Sequence, residues 1–286
     1  KKQHNNTRLI CQMSAAAALV LSANAMAADA FSADSKWMTG DWGGERTKLI
    51  EQGIDIKADY VGEMGYNAKG GYNNDKTGRY SDQFGLGVAL DLDKLWGWSN
   101  TQAKIQLTNR NGANISNDRI GDPRAGTLSS SQEVYGRGHM VRLTQFWIQH
   151  QMFDNKLDVK LGYFGEGEDF NTFPCDFQNL SFCGSQVGNY VNTWYNWPVS
   201  QAAIRVKYNI TPELYAQIGA YNQNPSQLEH GNGFKLSGSG TKGTVIPVEL
   251  VWSPKVNGLP GEYRVGYYKS AADANDVIKD VNGNDA

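Results

Sequence analysis

Apolar and polar residues alternate along much of the chain with a period of two. The alternation begins at Ile54, after which apolar residues at every second position are separated by charged side chains. Because successive side chains of a β-strand point to opposite faces, the pattern predicts strands with one apolar and one charged face. The predicted strands cover about 54–64, 84–92, 102–110, 157–163, 202–208, 214–218, 246–252 and 262–267. Residues 139–150 predict a ninth strand by composition, although the consecutive apolar residues 146–148 prevent a clean separation of its faces.

The links between the predicted strands are alternately long and short. The long links are 67–79, 111–138, 165–200 and 222–244, and the short ones are 93–100, 152–155, 209–213 and 253–260. A soluble β-sandwich would also alternate, but long loops at one rim and tight turns at the other are typical of a membrane barrel. Most segments are also long enough for a tilted strand to cross a bilayer. We therefore predict an all-β fold, a transmembrane antiparallel β-barrel whose apolar face contacts outer-membrane lipid.

The charged face of such a barrel must point into a watery lumen, because lipid does not solvate charge. Seven basic residues are predicted to face the lumen: Lys57, Lys104, Arg110, Lys160, Arg205, Lys207 and Arg264. Seven acidic residues share that face: Asp55, Asp59, Glu63, Asp91, Asp158, Glu249 and Glu262. A balanced wall gives no strong preference for anions or cations, which favours a neutral, hydroxyl-rich solute.

The first 27 residues have the three-part pattern of a secretory signal peptide. Three basic residues precede an apolar stretch from Met13 to Leu21, and the small-residue sequence Ala25-Met26-Ala27 follows. The apolar stretch is shorter than the roughly 18 residues that a membrane-spanning helix needs. Cleavage after Ala27 would leave 24 basic and 29 acidic side chains, a balance that argues against a nucleic-acid partner.

Two cysteines remain after the predicted cleavage, Cys175 and Cys183, which are separated by seven residues. In an exported protein they most simply form a disulfide bond. A metal site is the competing interpretation, but neither cysteine belongs to a CxxC pair, and the histidines show no HExxH spacing. We expect neither a metal nor a cofactor.

Three stretches resemble a known family. Residues 37–46, with the sequence WMTGDWGGER, followed by Leu49 and Gly53-Ile54, are similar to the opening signature of the carbohydrate-selective outer-membrane porins, the OprB family. Residues 194–200 (WYNWPVS) and 220–225 (AYNQNP) are similar to two later stretches of that family. The resemblance implies a closed barrel of about sixteen strands that passes monosaccharides such as glucose by diffusion. A general, non-selective porin is the alternative.

Within this scheme the chain has three parts. Residues 1–27 are the signal peptide, and residues 28–53 form a periplasmic segment with a short helix over 45–52, which follows Gly43-Gly44 and ends at Gly53. Residues 54–286 form the N-terminal part of the barrel. Because nine strands would leave two open edges in lipid, and the chain does not begin with Met, we expect a fragment of a longer protein. Whether that protein is a monomer or a homo-oligomer stays open.

The 165–200 link is the predicted constriction, because it is the longest loop and the third on its rim. It contains Glu166, Glu168, Asp169, Asn171, Trp194 and Trp197. Aromatic faces stack on the C–H patches of a sugar ring, and polar groups bind its hydroxyls. Arg110 and Arg205 are candidate partners on the wall. The competing interpretations are a solvated loop surface for the acids, packing against the wall for the tryptophans, and lumen charges without sugar contact for the arginines.

Two other classes of protein are alternatives to a porin. A secreted carbohydrate enzyme would use a carboxylate pair, but Glu166, Glu168 and Asp169 are too crowded in one loop to supply both sides of a scissile bond, and no GxSxG motif occurs. A calcium-binding adhesin is suggested by the polar run 280–285, which lacks the later bidentate glutamate of an EF-hand.

Overall fold

A computed structural model describes residues 30–33, 35–74, 76–125, 130–173, 175–182, 194–272, 278 and 282–284. The predicted signal peptide lies outside these residues. The chain divides into two compact units, with the boundary after Asp55.

The first unit is organised around an arginine between two tryptophans. A 3₁₀ turn, Trp42–Gly44, leads into helix α1, Glu45–Glu51, which confirms the predicted short helix. The Arg46 guanidinium lies 4.6 Å from the ring centre of Trp37 and 4.8 Å from that of Trp42. Cation–π contacts of this kind stabilise the turn before the helix. Three residues of the 37–46 sequence that resembles the porin family therefore form one stack, which gives that sequence a structural role.

The second unit contains one antiparallel sheet of nine strands in the order β1-β2-β3-β4-β5-β6-β7-β8-β11. Its strands are β1 (Ile54–Asn67), β2 (Thr77–Asp91), β3 (Thr101–Gly112), β4 (Met140–Met152), β5 (Leu157–Phe164), β6 (Gln201–Thr211), β7 (Leu214–Gln223), β8 (Gly243–Trp252) and β11 (Tyr263–Ser270). All nine predicted strands are confirmed, and each is hydrogen-bonded to its neighbour in sequence apart from one small hairpin. That hairpin, β9 (Lys255–Val256) with β10 (Leu259–Pro260), was not predicted and lies in the link between β8 and β11.

The short link between β2 and β3 contains an unpredicted helix, α2 (Leu92–Trp96). The Asp91 carboxylate caps it by accepting hydrogen bonds from the backbone N–H groups of Asp93 and Lys94, at 3.1 and 3.4 Å. Gly97, with φ of 72°, ends the helix in the left-handed conformation that glycine adopts without steric cost. The alternation of long and short links is confirmed from β3 onwards, but the predicted long link 67–79 is wrong, because the links 68–76 and 92–100 each contain nine residues. Among the described residues, no helix combines the length and the apolar character needed to cross a membrane.

Burial separates the two faces of the sheet. In β8 the apolar residues Ile246, Val248, Leu250 and Trp252 are exposed, whereas Val245, Pro247, Glu249 and Val251 are buried. We call the face that carries Glu249, Arg110, Lys160 and Arg205 the inner face, and the opposite one the outer face. Exposed apolar side chains therefore cover the outer face, and ionic side chains are buried on the inner face. This separation agrees with the alternation in the sequence.

A β-bulge in β4 explains why the two faces of this strand could not be assigned from the sequence. Gln106 of β3 pairs with Gln145 and Leu107 pairs with Leu143, so that Thr144 is an extra residue in β4. The extra residue shifts the alternation by one position. As a result Phe146 and Ile148 are exposed on the outer face, while Trp147 lies on the inner face with its ring centre 4.8 Å from the Lys160 Nζ.

Candidate solute-binding site

The described residues of the 165–200 loop, 165–173, 175–182 and 194–200, pack on the inner face of the sheet. Phe170 and Trp194 of the loop join Phe164 of β5, Ala203 of β6, Tyr221 of β7 and Val245 of β8 in one buried apolar cluster, with Trp147 packed against it. The Phe164 and Phe170 rings both meet the Tyr221 ring edge to face, at centroid distances of 5.5 and 6.0 Å. Burial of these aromatic surfaces holds the loop against the wall.

Ion pairs fasten the first turn of the loop to the wall. Lys160 Nζ donates to Glu168 and, at 3.0 Å, to Asp169. Arg205 Nη1 lies 2.7 Å from Asp158 Oδ1, and Arg205 Nε lies 3.6 Å from Asp169 Oδ1. We call these contacts the loop anchor. The side chains of Lys160 and Arg205 are each only 3% exposed, so the pairs are shielded from water and their attraction is strong.

A second set of hydrogen bonds continues from the loop to β8. The Glu249 carboxylate accepts from the Asn171 backbone N–H at 3.0 Å, from Gln217 Nε2 at 2.9 Å and from Arg264 Nη1 at 3.0 Å. Gln217 also donates to the Asp169 carbonyl at 2.6 Å. Asn171 has φ of 50°, a left-handed conformation that asparagine tolerates better than most residues. Its backbone is thus fixed while its side chain lines the cavity described below.

Glu166 joins the two ends of the loop. Its Oε2 accepts from the Tyr195 backbone N–H at 3.1 Å and its Oε1 accepts from Gln223 Nε2 at 2.6 Å. The residue is 0% exposed. Burial raises the pKa of the Glu166 carboxyl to about 8, and the two hydrogen bonds only partly offset this effect. With a pKa of about 8, the Glu166 carboxyl is largely protonated at neutral pH. Its hydrogen bonds connect the start of the loop to Tyr195 near the loop's end and to Gln223 of β7.

A cavity of about 250 Å³ lies against the loop. We call it the aromatic cavity. Aromatic and polar groups line it together: Phe170, Phe173, Trp194, Trp197, Glu168, Asn171, Thr172 and Asn196. Its volume is below the roughly 300 Å³ at which sites for drug-sized ligands begin, so it suits one small solute.

The two predicted tryptophans differ in environment. Trp194 is buried in the apolar cluster, and its ring meets that of Tyr268 edge to face at 5.9 Å. Trp197 is only half-buried, and its Nε1 donates to Gln83 Oε1 at 2.9 Å. Trp194 therefore fits the packing interpretation, whereas Trp197 presents a ring to the cavity and is oriented by a hydrogen bond.

Arg110 reaches the same glutamine. Its Nε donates to Gln83 Oε1 at 2.8 Å, and its Nη2 lies 3.7 Å from Glu133 Oε1. The structure thus joins Arg110 to Trp197 through Gln83 and joins Arg205 to Asp169 through the loop anchor. Gln83 was absent from the sequence-based candidates. It precedes the predicted strand 84–92, and no sequence signal indicated that it meets a loop residue 114 positions away.

The 113–139 loop also contributes, which the sequence did not indicate. Gln132 is fully buried, with Nε2 donating to Ser81 Oγ at 2.9 Å and Oε1 accepting from the Ile115 N–H at 2.8 Å. The backbone of residues 130–133 is hydrogen-bonded to residues 178–180, through Glu133 N–H to Gln178 O at 2.9 Å and Leu180 N–H to Ser130 O at 2.9 Å. The 113–139 loop therefore contacts both the inner face and the 165–200 loop.

From the sequence, the cysteines and the metal-ligating side chains were both possible sites. Cys175 takes part in a disulfide bond. Its predicted partner, Cys183, lies outside the described residues, so the pairing stays a prediction. Within the described ranges, His, Cys, Asp and Glu side chains form no group of three or more that could hold a metal ion.

Together these features define a class of protein. Long antiparallel strands with an apolar outer face, an ionic inner face, long loops on one rim and a loop packed on the inner face are typical of porins, which are channels and not enzymes. The model of the carbohydrate-selective porin, OprB family, matches residues 75–286, and the chain belongs to this family. The alternative of a secreted carbohydrate enzyme is therefore not supported.

Several relatives are similar over nearly the whole chain. Porin B of Pseudomonas aeruginosa is 63% identical over 286 residues, which are 99% of this chain and 63% of that protein. The putative porin QuiX of Acinetobacter baylyi is 44% identical over 91% of this chain and 61% of its own length. The high-pH structure of Pseudomonas putida OprB has a TM-score of 0.86 at 68% identity, covering 90% of this chain and 61% of that one. The chain thus spans somewhat less than two thirds of these relatives.

Proposed function

We propose that the protein is an outer-membrane porin through which neutral, glucose-like sugars diffuse, and that residues 1–27 direct its export. The observation that carries the proposal is the aromatic cavity, which lies beside a wall whose buried charges are largely paired with one another. Paired charges offer little attraction to a free ion. An aromatic face next to amide and guanidinium groups suits a sugar ring, which has apolar C–H patches and a rim of hydroxyls.

In this proposal the candidate residues have two kinds of role. Trp197 supplies the stacking face, while Asn171 and Arg110 supply hydrogen-bonding groups at the constriction. Glu166, Asp169 and Arg205 hold the loop in place, because each is bonded to another part of the loop or wall. Trp194 supports the cavity from the apolar cluster. The exposed apolar outer face contacts membrane lipid, because the charged side chains lie on the opposite face.

The test is a planar-bilayer recording of the full-length protein with increasing glucose. We expect glucose to reduce the single-channel current of the wild type. Trp197→Ala should weaken the apparent glucose affinity about two- to tenfold, since an aromatic contact contributes roughly 0.5–1.5 kcal/mol. Trp98→Ala is the matched control, because Trp98 is exposed and packs edge to face on Trp96, outside the loop.

The outcomes separate the alternatives. A wild type that conducts salt but does not respond to glucose or other monosaccharides would indicate a general, non-selective porin. A normal glucose response in Trp197→Ala, with conductance retained, would remove Trp197 from the site. An equal loss in Trp98→Ala would attribute the effect to general disturbance of the barrel.

A further inference from the structure

Gln83 lies where the wall and the constriction loop meet. It is on the inner face of β2, directly opposite Arg110 of β3 in the strand register. Its Oε1 accepts two hydrogen bonds, from Arg110 Nε at 2.8 Å and from Trp197 Nε1 at 2.9 Å. The side chain is half-buried. One amide thus connects two residues that the proposed function places at the constriction.

The two partners fix the orientation of this amide. The guanidinium of arginine and the indole of tryptophan are hydrogen-bond donors only, so the group that faces both must be the amide oxygen. The alternative placement, with oxygen and nitrogen exchanged, would set –NH₂ against two donors. The –NH₂ therefore points away from Arg110 and Trp197. No described residue accepts a hydrogen bond from it, although the side chain is partly open to solvent.

We propose that Gln83 determines specificity at the constriction by holding Trp197 and Arg110 with its oxygen and offering its –NH₂ to a sugar oxygen. The inference rests on the proposed function. A sugar hydroxyl or ring oxygen is a neutral acceptor, which matches a neutral donor fixed beside an aromatic face. Because the amide is already oriented by two bonds, little side-chain entropy is lost when the solute binds.

The two roles of Gln83 can be separated by substitution. Gln83→Glu keeps an acceptor for both Arg110 and Trp197 but replaces the –NH₂ donor with oxygen. Gln83→Met keeps a similar length and removes both acceptor and donor. Gln102→Glu is the matched control, because Gln102 occupies the inner face of β3, is exposed, and receives the same change of charge. All variants are made in the full-length protein, and folding is checked by heat-modifiable migration on gels.

We expect Gln83→Glu to retain single-channel conductance close to that of Gln102→Glu, while its apparent glucose affinity falls roughly three- to tenfold, as for one lost hydrogen bond. Gln83→Met should lose at least as much glucose affinity and also change conductance, because Trp197 and Arg110 lose their shared acceptor. If Gln83→Glu does not fold, the glucose affinity of Gln83→Met decides.

The outcomes that overturn the proposal are distinct. Wild-type glucose affinity in Gln83→Glu would exclude the donor role, and unchanged conductance in Gln83→Met would exclude the positioning role. An equal loss of affinity in Gln102→Glu would assign the effect to added charge and overturn the donor role. A wild type without any glucose response would instead refute the proposed function, and the specificity role would be lost with it.

Discussion

At the scale of single residues, we expect Glu166 to make the stability of the protein depend on pH. Its carboxyl is fully buried, and its pKa is raised to about 8 by that burial. The oxygen Oε1 of Gln223 is also buried and has no hydrogen-bond partner among the described residues. A rotation of the Gln223 amide would let this oxygen accept the Glu166 O–H. The protonated acid is uncharged, which explains how a carboxyl without a cationic partner is tolerated there.

The pH dependence of stability follows from the raised pKa. Below about pH 4.5 the carboxyl is protonated in both the folded and unfolded states, and its contribution to stability is fully present. As the pH rises towards 8, the Glu166 carboxyl ionises in the unfolded state before it does so in the folded state. The free energy of unfolding therefore falls by at most about 1.4 kcal/mol per pH unit. Glu166→Gln, which imitates the protonated acid, should match the wild type at pH 5 and be more stable at pH 9.

The measurement is thermal unfolding in detergent from pH 5 to 9, expressed as the difference in Tm between variant and wild type. Glu213→Gln, at an exposed turn position, should follow the wild type at every pH. A Glu166→Gln difference that stays constant with pH would show that the carboxyl does not titrate in this range.

At the scale of the loop, we expect the loop anchor to determine how open the proposed constriction is. Lys160 lies between the rings of Trp147 and Phe164 and pairs with Glu168 and Asp169. Lys160→Met retains much of the packing but removes the charge. Removing one partner of a buried pair destabilises by roughly 3–5 kcal/mol, because the other charges lose their partner. We expect the loop to detach, single-channel conductance to rise and glucose affinity to fall.

Lys104→Met is the control for this substitution. Lys104 is also on the inner face, and within the described part of the chain no carboxylate lies close enough to form an ion pair with it. Bilayer recordings of both variants give the comparison. Equal conductance in Lys160→Met and the wild type would mean that the apolar cluster alone holds the loop.

At the scale of the strand, the bulge at Thr144 decides which residues of β4 face the lumen. Cysteine substituted for Gln149, on the inner face, should react with a membrane-impermeant thiol reagent, and cysteine substituted for Ile148, on the outer face, should not. Labelling is measured in the intact full-length barrel, with the reaction of the unsubstituted protein subtracted. The reverse pattern would mean that β4 continues without the extra residue and that its register is shifted by one.

At the scale of the whole molecule, ion pairing on the wall predicts weak charge selectivity. Lys160, Arg205 and Arg264 each contact at least one carboxylate within 3.0 Å. We therefore expect a reversal potential in a KCl gradient that is a small fraction of the Nernst limit. Neutralising Lys160 and Arg205 together should shift it towards cation selectivity. A strongly selective wild-type channel would show that unpaired charges elsewhere in the lumen dominate.

The sequence by itself determined the strands, the two faces of every strand except β4, and the alternation of long and short loops from β3 onwards. These features depend on local periodicity, since a charge on the lipid side or a buried backbone group without a partner costs several kcal/mol at any position along a strand. It also identified the loop that packs on the inner face and most of the residues that line or anchor it.

Only the tertiary structure decided which of those residues meet. Lys160 and Asp169, or Gln83 and Trp197, are brought together by strand pairing and loop packing, and neither the distance between two side chains nor the burial of a charge is encoded in local periodicity. The bulge at Thr144 likewise depends on the partner strand, because an extra residue is defined only against the register of its neighbour. Packing also gave the acids of the loop contacts that periodicity does not encode: Glu168 and Asp169 pair with Lys160, and Glu166 accepts hydrogen bonds from Tyr195 and Gln223.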